Sequence, residues 1–242
     1  MKILPKISVV TICCNAEDQI EKTIESVVSQ DYPAIEYIII DGASTDQTLD
    51  KIKKYLSKIN VFISEPDQGL YDAMNKGLRS ASGVYILFMN AGDTFYESQS
   101  LSNLIQNAKD ADFIYGKTVV TGEDGTQKEW HKKIPCATAI SPASFLQGMV
   151  VCHQAMLIRK TLVSEFDLKW EISSDLDWVI KALKKTEKKH FYDQYVCTFL
   201  MGGLSSRRKW KAITERFWIS VKHFGFSRAV FAQFQIIISW FR

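Results

Sequence analysis

The sequence predicts an α/β fold built on a mostly parallel sheet flanked by helices. Three observations carry that prediction: short runs that are apolar at every position, helix-period segments alternating with them, and small acid-bearing turns where the apolar runs stop. A run without polar alternation suits a strand buried on both faces, as in a parallel sheet covered by helices.

Ile7 to Cys14 is the first such run, and Asn15 to Asp18 supplies polar capping residues before a helix pattern from about Gln19 to Ser29. Ile20, Ile24, Val27 and Val28 give that helix its apolar stripe. Ile35 to Ile40 reads as a second strand, ending at Asp41-Gly42-Ala43-Ser44-Thr45-Asp46, with a helix from Thr48 to Leu56. Val61 to Ser64 is a short third strand before Glu65-Pro66-Asp67-Gln68-Gly69 and a helix from about Tyr71 to Ser80. The run from Tyr85 then stops abruptly at Asn90-Ala91-Gly92-Asp93.

The second half is less regular. Asp112 to Gly116 and Lys117 to Thr121 read as two strands, Glu123-Asp124-Gly125 as a hairpin turn, and Gln154 to Arg159 as another strand. Ser173 or Ser174 caps a helix through about Lys184, with Asp175 and Asp177 in its first turn, where the helix dipole favours acids. From Trp210 onward, Ile213, Phe217, Val221 and Phe224 recur at helical spacing, followed by Val230, Phe231, Phe234, Ile237, Ile238 and Phe241. The economical division is one domain over 1–206 and an amphipathic helical extension over 207–242.

At 242 residues and 46% hydrophobic, the chain is long enough to bury a full core. Five cysteines without C-x-x-C spacing suit a reducing, cytoplasmic compartment, and no secretory signal pattern opens the sequence. The net charge of +3 hides an asymmetry: residues 207–242 hold eight Lys or Arg against the single acid Glu215, and the rest of the chain is net negative. A basic, aromatic tail suits a polyanionic surface, either nucleic acid or anionic lipid.

Three strand ends finish in acid-bearing turns, at Asp41, Asp67 and Asp93, and ligands of open α/β sheets collect at such ends. No G-x-G-x-x-G follows the first strand and no G-x-x-x-x-G-K-[ST] occurs, which argues against dinucleotide oxidoreductases and P-loop phosphotransferases. Carboxylates at these ends suit magnesium or manganese on a nucleotide diphosphate. Taken alone, Asp93 fits an N-cap or Asx turn equally, and Asp175 and Asp177 fit ordinary helix N-terminal acids.

The ordered set Pro5 to Thr11, Asn15, Thr23 to Gln30, Glu36 to Asp46 and Asn90 to Asp93 resembles the inverting family 2 glycosyltransferases with the GT-A fold, a Rossmann-like sheet. Ser64 to Gly77 is similar to a subgroup that builds bacterial surface polysaccharides, including colanic-acid-type enzymes. The resemblance spans residues 5 to 95 strongly and reaches about 205 weakly. It implies that Thr11, Asn15 and Asp41 line a nucleotide pocket, that Asp67 sits beside the base, and that Asn75 and Lys76 lie near the donor. It makes Asp93 the last acid of a D-x-D metal element, with Mn2+ or Mg2+ on the donor diphosphate. Asn90, Ala91 and Gly92 occupy the other positions, so Asn90 offers only a neutral oxygen there. Inversion requires a base for the acceptor hydroxyl, and the resemblance assigns Asp175 to it, with Asp177 as supporting neighbour.

His153-Gln154 matches a His-Gln of the subgroup, and Gly202-Gly203-Leu204-Ser205 with Arg207 and Arg208 reads as a loop over donor phosphates. A lone His is also a common structural residue, and a plain turn fits the glycines. The tail's apolar stretch is interrupted by Gln233 and Gln235 and is too short to span a bilayer, so it reads as an interfacial helix, or as a surface for the domain or a second subunit. The expectation is a cytoplasmic, peripherally membrane-associated transferase moving a sugar from a UDP-linked donor to a lipid-linked saccharide, with no nucleic-acid partner and a homo-oligomer left open. The competing classes are a nucleotidyltransferase and a non-catalytic binder of nucleotide-sugar or membrane.

Overall fold

The computed structural model describes residues 4–106, 108, 110–122, 124–130 and 134–239. Its strands are β1 (Ile7–Cys13), β2 (Ile35–Asp41), β3 (Val61–Ser64), β4 (Tyr85–Phe88), β5 (Thr94–Phe95), β6 (Phe113–Thr121), β7 (Gln127–Glu129), β8 (Met156–Arg159) and β9 (Lys189–Leu200). Its helices are α1 (Ile20–Val28), α2 (Thr48–Lys53), α3 (Leu70–Ser80), α4 (Ser100–Gln106), α5 (Ser174–Leu183), α6 (Leu204–Arg207), α7 (Lys209–Phe224) and α8 (Phe226–Ser239).

The strands form one sheet in the order β3-β2-β1-β4-β8-β6-β9-β5, with β7 on β6. The first four strands are parallel, in the register Ile7↔Ile35, Asp41↔Ser64 and Ile7↔Tyr85. β8 runs antiparallel to β4 and β6, while β9 returns parallel to β6. The chain walks outward from β1 to β3 and then crosses to place β4 on the other side of β1. That reversal opens a crevice beyond the carboxyl ends of β1 and β4, the usual ligand site of such sheets.

Helices cover the parallel half because their apolar faces match its buried strands. Gly77 lets α3 lie directly on β1, since a Cβ there would stand 2.4 Å from Val10 Cγ1. An aromatic cluster joins α3 and α5 beneath the crevice: Phe166 stacks on Trp178 at 4.9 Å and on Tyr71 at 5.4 Å, with Phe88 edge-on.

Several expectations change. Residues 113–121 form a single strand, whose register against β9 shifts at Gly116/Lys117 and Lys117/Thr118. The hairpin is present as β6 and β7, paired from Val119↔Glu129 to Thr121↔Gln127; Glu123 of its turn lies outside the described residues. α1 and α5 start without a side-chain cap, so neither the Asn15 to Asp18 segment nor Ser173 or Ser174 supplies one. α4, β5 and β9 are additions. The tail is two helices broken at Gly225, whose φ of 88° is in the left-handed region. α7 buries Ala212, Glu215, Ile219 and Ser220 and packs on α5. Trp240, Phe241 and Arg242 lie outside the described residues, as do the side chains of Ile237 and Ile238.

Candidate active site

At the β1 end, the chain turns through Asn15, which has φ 48° and is exposed. Its Oδ1 accepts the Thr45 N–H at 2.9 Å, tying the β1 turn to the β2 turn. Asp41 lies beneath this floor: fully buried, it accepts the Ser44 N–H at 3.0 Å and the Ser64 hydroxyl at 2.7 Å, with the Ser44 hydroxyl and Cys13 thiol on its other oxygen. It holds three strand ends in place and does not line the crevice. Thr11 is also fully buried, donating to Met89 O at 2.8 Å. Asp67 is half-buried at the rim, its Oδ1 accepting Gly69 N–H at 2.8 Å in an Asx turn. A Cβ on Gly42 would meet Asp67 Oδ2 at 2.3 Å, so glycine is what allows these two turns to touch.

Across the crevice, β4, the turn before β8, α3 and the start of α5 bring four side chains into one array. Asn90 Nδ2 donates to His153 Nε2 at 3.3 Å. An amide nitrogen cannot accept, so this contact makes Nε2 the acceptor and leaves the ring proton on Nδ1. Nδ1 faces Asp175 Oδ2 at 3.4 Å. Asp175 Oδ1 accepts the Tyr71 hydroxyl at 3.0 Å and the Leu176 N–H at 2.9 Å. His153 and Asp175 keep 14% and 18% of their side-chain surface exposed, so both reach the crevice. Burial works against the charge on Asp175, but the His153 ring and the Tyr71 hydroxyl outweigh it and hold the carboxyl below its ordinary range. Asn90 Oδ1 is buried without a partner.

Asp93 sits behind this array, 3% exposed. Its Oδ1 accepts the Leu200 N–H at 3.0 Å and its Oδ2 the Gln154 amide at 2.6 Å. Burial raises its pKa to about 6 in spite of these two bonds. Gln154 is buried too and serves Asp93, not the crevice. Among the described residues no group of three His, Cys, Asp or Glu side chains could hold a metal ion. With both Asp93 oxygens taken by N–H donors, the residues present do not fit a protein-built Mn2+ or Mg2+ centre.

The family model described as Glycosyl transferase family 2 matches residues 8–166, which include the crevice floor, Asn90, Asp93 and His153. The chain belongs to glycosyl transferase family 2. This glycosyltransferase is 26% identical to a PGL/p-HBAD biosynthesis glycosyltransferase of Mycobacterium bovis over 90% of this chain and 86% of that one. It is 26% identical to TuaG of Bacillus subtilis, named provisionally for teichuronic acid biosynthesis, over 89% and 87%. Among solved structures it is similar to Staphylococcus aureus TarS 1-349, with TM-score 0.72 and 18% identity over 95% of this chain and 72% of that one. A second is the Pyrobaculum calidifontis mannosyltransferase PcManGT in complex with GDP-Man and Mn2+, with TM-score 0.65 and 16% identity over 96% and 74%. These structures show that the family 2 chain has the GT-A-type α/β fold.

Other expected site residues of the transferase lie elsewhere. Asn75 is buried and clasps the Phe166 peptide through both amide atoms, at 3.0 and 2.7 Å. Lys76 holds the β3–α3 loop through Pro66 O at 2.7 Å and Glu65 at 3.0 Å. Asp177 points away from Asp175, because residues two apart stand on opposite faces of a helix. It binds Lys181 at 2.6 Å, His223 at 2.7 Å and Lys222 at 3.0 Å, which fastens α5 to α7. Arg207 is exposed on α6, while Arg208 pairs with Glu171 at 3.2 Å. Sequence reasoning missed Tyr71 as a partner of Asp175, and it missed Arg216, whose charge helps hold the Asp175 carboxyl down. The sequence signal for Tyr71 was its place at the start of a helix right after an acid-bearing loop; Arg216 had none.

Proposed function

We propose that this family 2 glycosyltransferase is an inverting enzyme that moves a sugar from a UDP-linked donor to a lipid-linked saccharide in bacterial surface polysaccharide synthesis. The observation that carries the reading is Asp175: ionised, partly exposed, its Oδ1 occupied by two donors and its Oδ2 shared between the His153 ring and the crevice. The acceptor hydroxyl gives its proton to Oδ2 as its oxygen attacks the anomeric carbon. The bond to the diphosphate breaks on the opposite face, the electron pair leaves with the nucleotide, and configuration inverts. His153 holds the carboxylate from one side and Tyr71 from the other. The nucleotide is taken between the exposed Asn15 turn and Asp67.

The donor class is supported by the fold relatives, one of which is TarS in complex with UDP. The acceptor class is supported by relatives named for PGL/p-HBAD and teichuronic acid biosynthesis and by the subgroup resemblance of Ser64 to Gly77. Among the described residues no helix is long and apolar enough to cross a membrane. Residues 207–242 are proposed as a unit that lies on the anionic inner surface of the cell membrane, with Trp210, Trp218, Phe226, Phe231 and Phe234 exposed among Arg207, Lys209 and Arg228.

Nucleotide release from UDP-, GDP- and dTDP-sugars, with and without a membrane lipid extract, tests the reading. Acceptor-stimulated release from one donor is expected. Asp175→Asn should then lower turnover by about a hundredfold to ten-thousandfold while UDP binding persists. Turnover close to wild type in that variant would remove Asp175 as the base.

A further inference from the structure

The acid of the basic tail is turned inward. Glu215, 5% exposed on α7, accepts the N–H of Glu171 at 3.0 Å, of Ile172 at 2.9 Å and of Ser173 at 2.9 Å. These are three consecutive amides immediately before α5, and two residues further on stands Asp175. The middle one, Ile172, also offers its carbonyl to Tyr71 at 2.9 Å, the same hydroxyl that contacts Asp175.

The rest of α6 and α7 grips the same segment. Lys211 and Arg208 pair with Glu171, Lys222 with Asp167 at 3.3 Å, and the Ser173 hydroxyl donates to Ala212 O at 3.5 Å. The α5 helix has no side-chain cap of its own, and Glu215 instead anchors, from a distant element, the three amides that lead into its first turn. A carboxylate on three amides is a charge-assisted contact, stronger than a neutral one and directional.

We propose that Glu215 is a positioning residue for glycosyl transfer: it fixes the peptide 171–173 and thereby the place of Asp175 in the crevice. The extension after residue 206 is then part of the catalytic apparatus. This rests on the reading of Asp175 as base. Because Glu215 touches neither crevice floor nor donor turns, its loss moves the base without altering the nucleotide pocket.

The test uses the full chain, with Glu215→Gln, Asp175→Asn and the double variant. UDP affinity, melting temperature, and kcat and KM are measured with the donor and lipid extract that support release. Glutamine keeps the shape but brings an N–H toward amides that need an acceptor. The expected result is a kcat lower by about a hundredfold, the scale of an ångström-sized misplacement, with donor KM and UDP affinity unchanged. The Glu215→Gln effect should vanish in the Asp175→Asn background, where no base remains to be positioned. Unchanged kcat in Glu215→Gln, loss of UDP affinity in step with kcat, or a full additive effect in the double variant would each overturn the inference. Turnover close to wild type in Asp175→Asn marks failure of the base reading itself, whereas a strongly reduced Asp175→Asn beside a Glu215→Gln of unchanged kcat fails this inference alone. Should Glu215→Gln not fold, Glu215→Asp keeps the charge, and amide exchange at 171–173 reads the contact directly: protection equal to wild type with kcat reduced would also count against it.

Discussion

Tyr71 has one hydroxyl proton and two acceptors, Ile172 O at 2.9 Å and Asp175 Oδ1 at 3.0 Å. When Asp175 is ionised the proton belongs on the carboxylate; once Asp175 has taken a proton, the hydroxyl is free to turn to the carbonyl. Tyr71→Phe should therefore lower kcat while costing about 1 kcal/mol of stability, as for an ordinary hydrogen bond. Steady-state kinetics beside thermal melting checks this, and kcat equal to wild type would leave Tyr71 a structural role only. The sequence marked Asp175 as a candidate only through the family resemblance, because two acids at a helix start are by themselves what the dipole favours. The resemblance placed Thr11, Asp41, Asn75 and Gln154 toward the ligand, but a sequence shows polarity and not the partners a side chain finds in the fold. Each is buried and satisfied from within, Asn75 by the backbone N–H and C=O of the one residue Phe166.

The α5 helix works in two directions at once, with Asp175 toward the crevice and Asp177 toward α7. Burial opposes the charge on Asp177, yet His223, Lys181 and Lys222 overcome it and depress its pKa well below the ordinary value. Because the folded pKa lies under the unfolded one, this contribution is fully present above about pH 4 and is lost as pH falls below it. Asp177→Asn should cost roughly 3 kcal/mol at neutral pH, the lower end for breaking a buried ion pair. The gap in melting temperature from wild type should begin to narrow below about pH 4 and go on narrowing as the pH falls toward the depressed folded pKa; a gap constant with pH would reject the ion-pair account. At this scale β1, β2 and β4 were readable because buried strands are written as nearly unbroken apolar runs. β9 was not, since its middle carries the exposed Asp193 and Gln194 and its pairing partner β6 lies some seventy residues earlier.

For the whole molecule, the sequence disclosed the charge asymmetry of the tail but not which way its parts face. One side of α7 is joined to α5, and the other shows Trp210, Ile213 and Trp218 to solvent beside Phe226 of α8. If this outer face meets the bilayer, the protein should sediment with vesicles containing anionic lipid far more than with neutral ones. Trp218→Ser combined with Phe226→Ser should weaken that binding by roughly tenfold or more, given about 1.5–3 kcal/mol per large apolar side chain withdrawn, with UDP affinity unchanged. Equal sedimentation of the double variant and wild type would argue instead for a protein partner on this face.

The lock on Asp93 also bears on how the chain is made. Its two donors come from Gln154 and Leu200, 61 and 107 residues downstream. A ribosome delivers chain from the N-terminus, so the parallel half of the sheet is available long before these donors emerge. Until Leu200 is out, the aspartate has no native reason to sit in an apolar environment, and the strand that delivers Leu200 must close against β6 over a long loop. The half of the crevice built by β1 to β4 is available early in translation, and the carboxylate that ties it to the other half is secured only near its end.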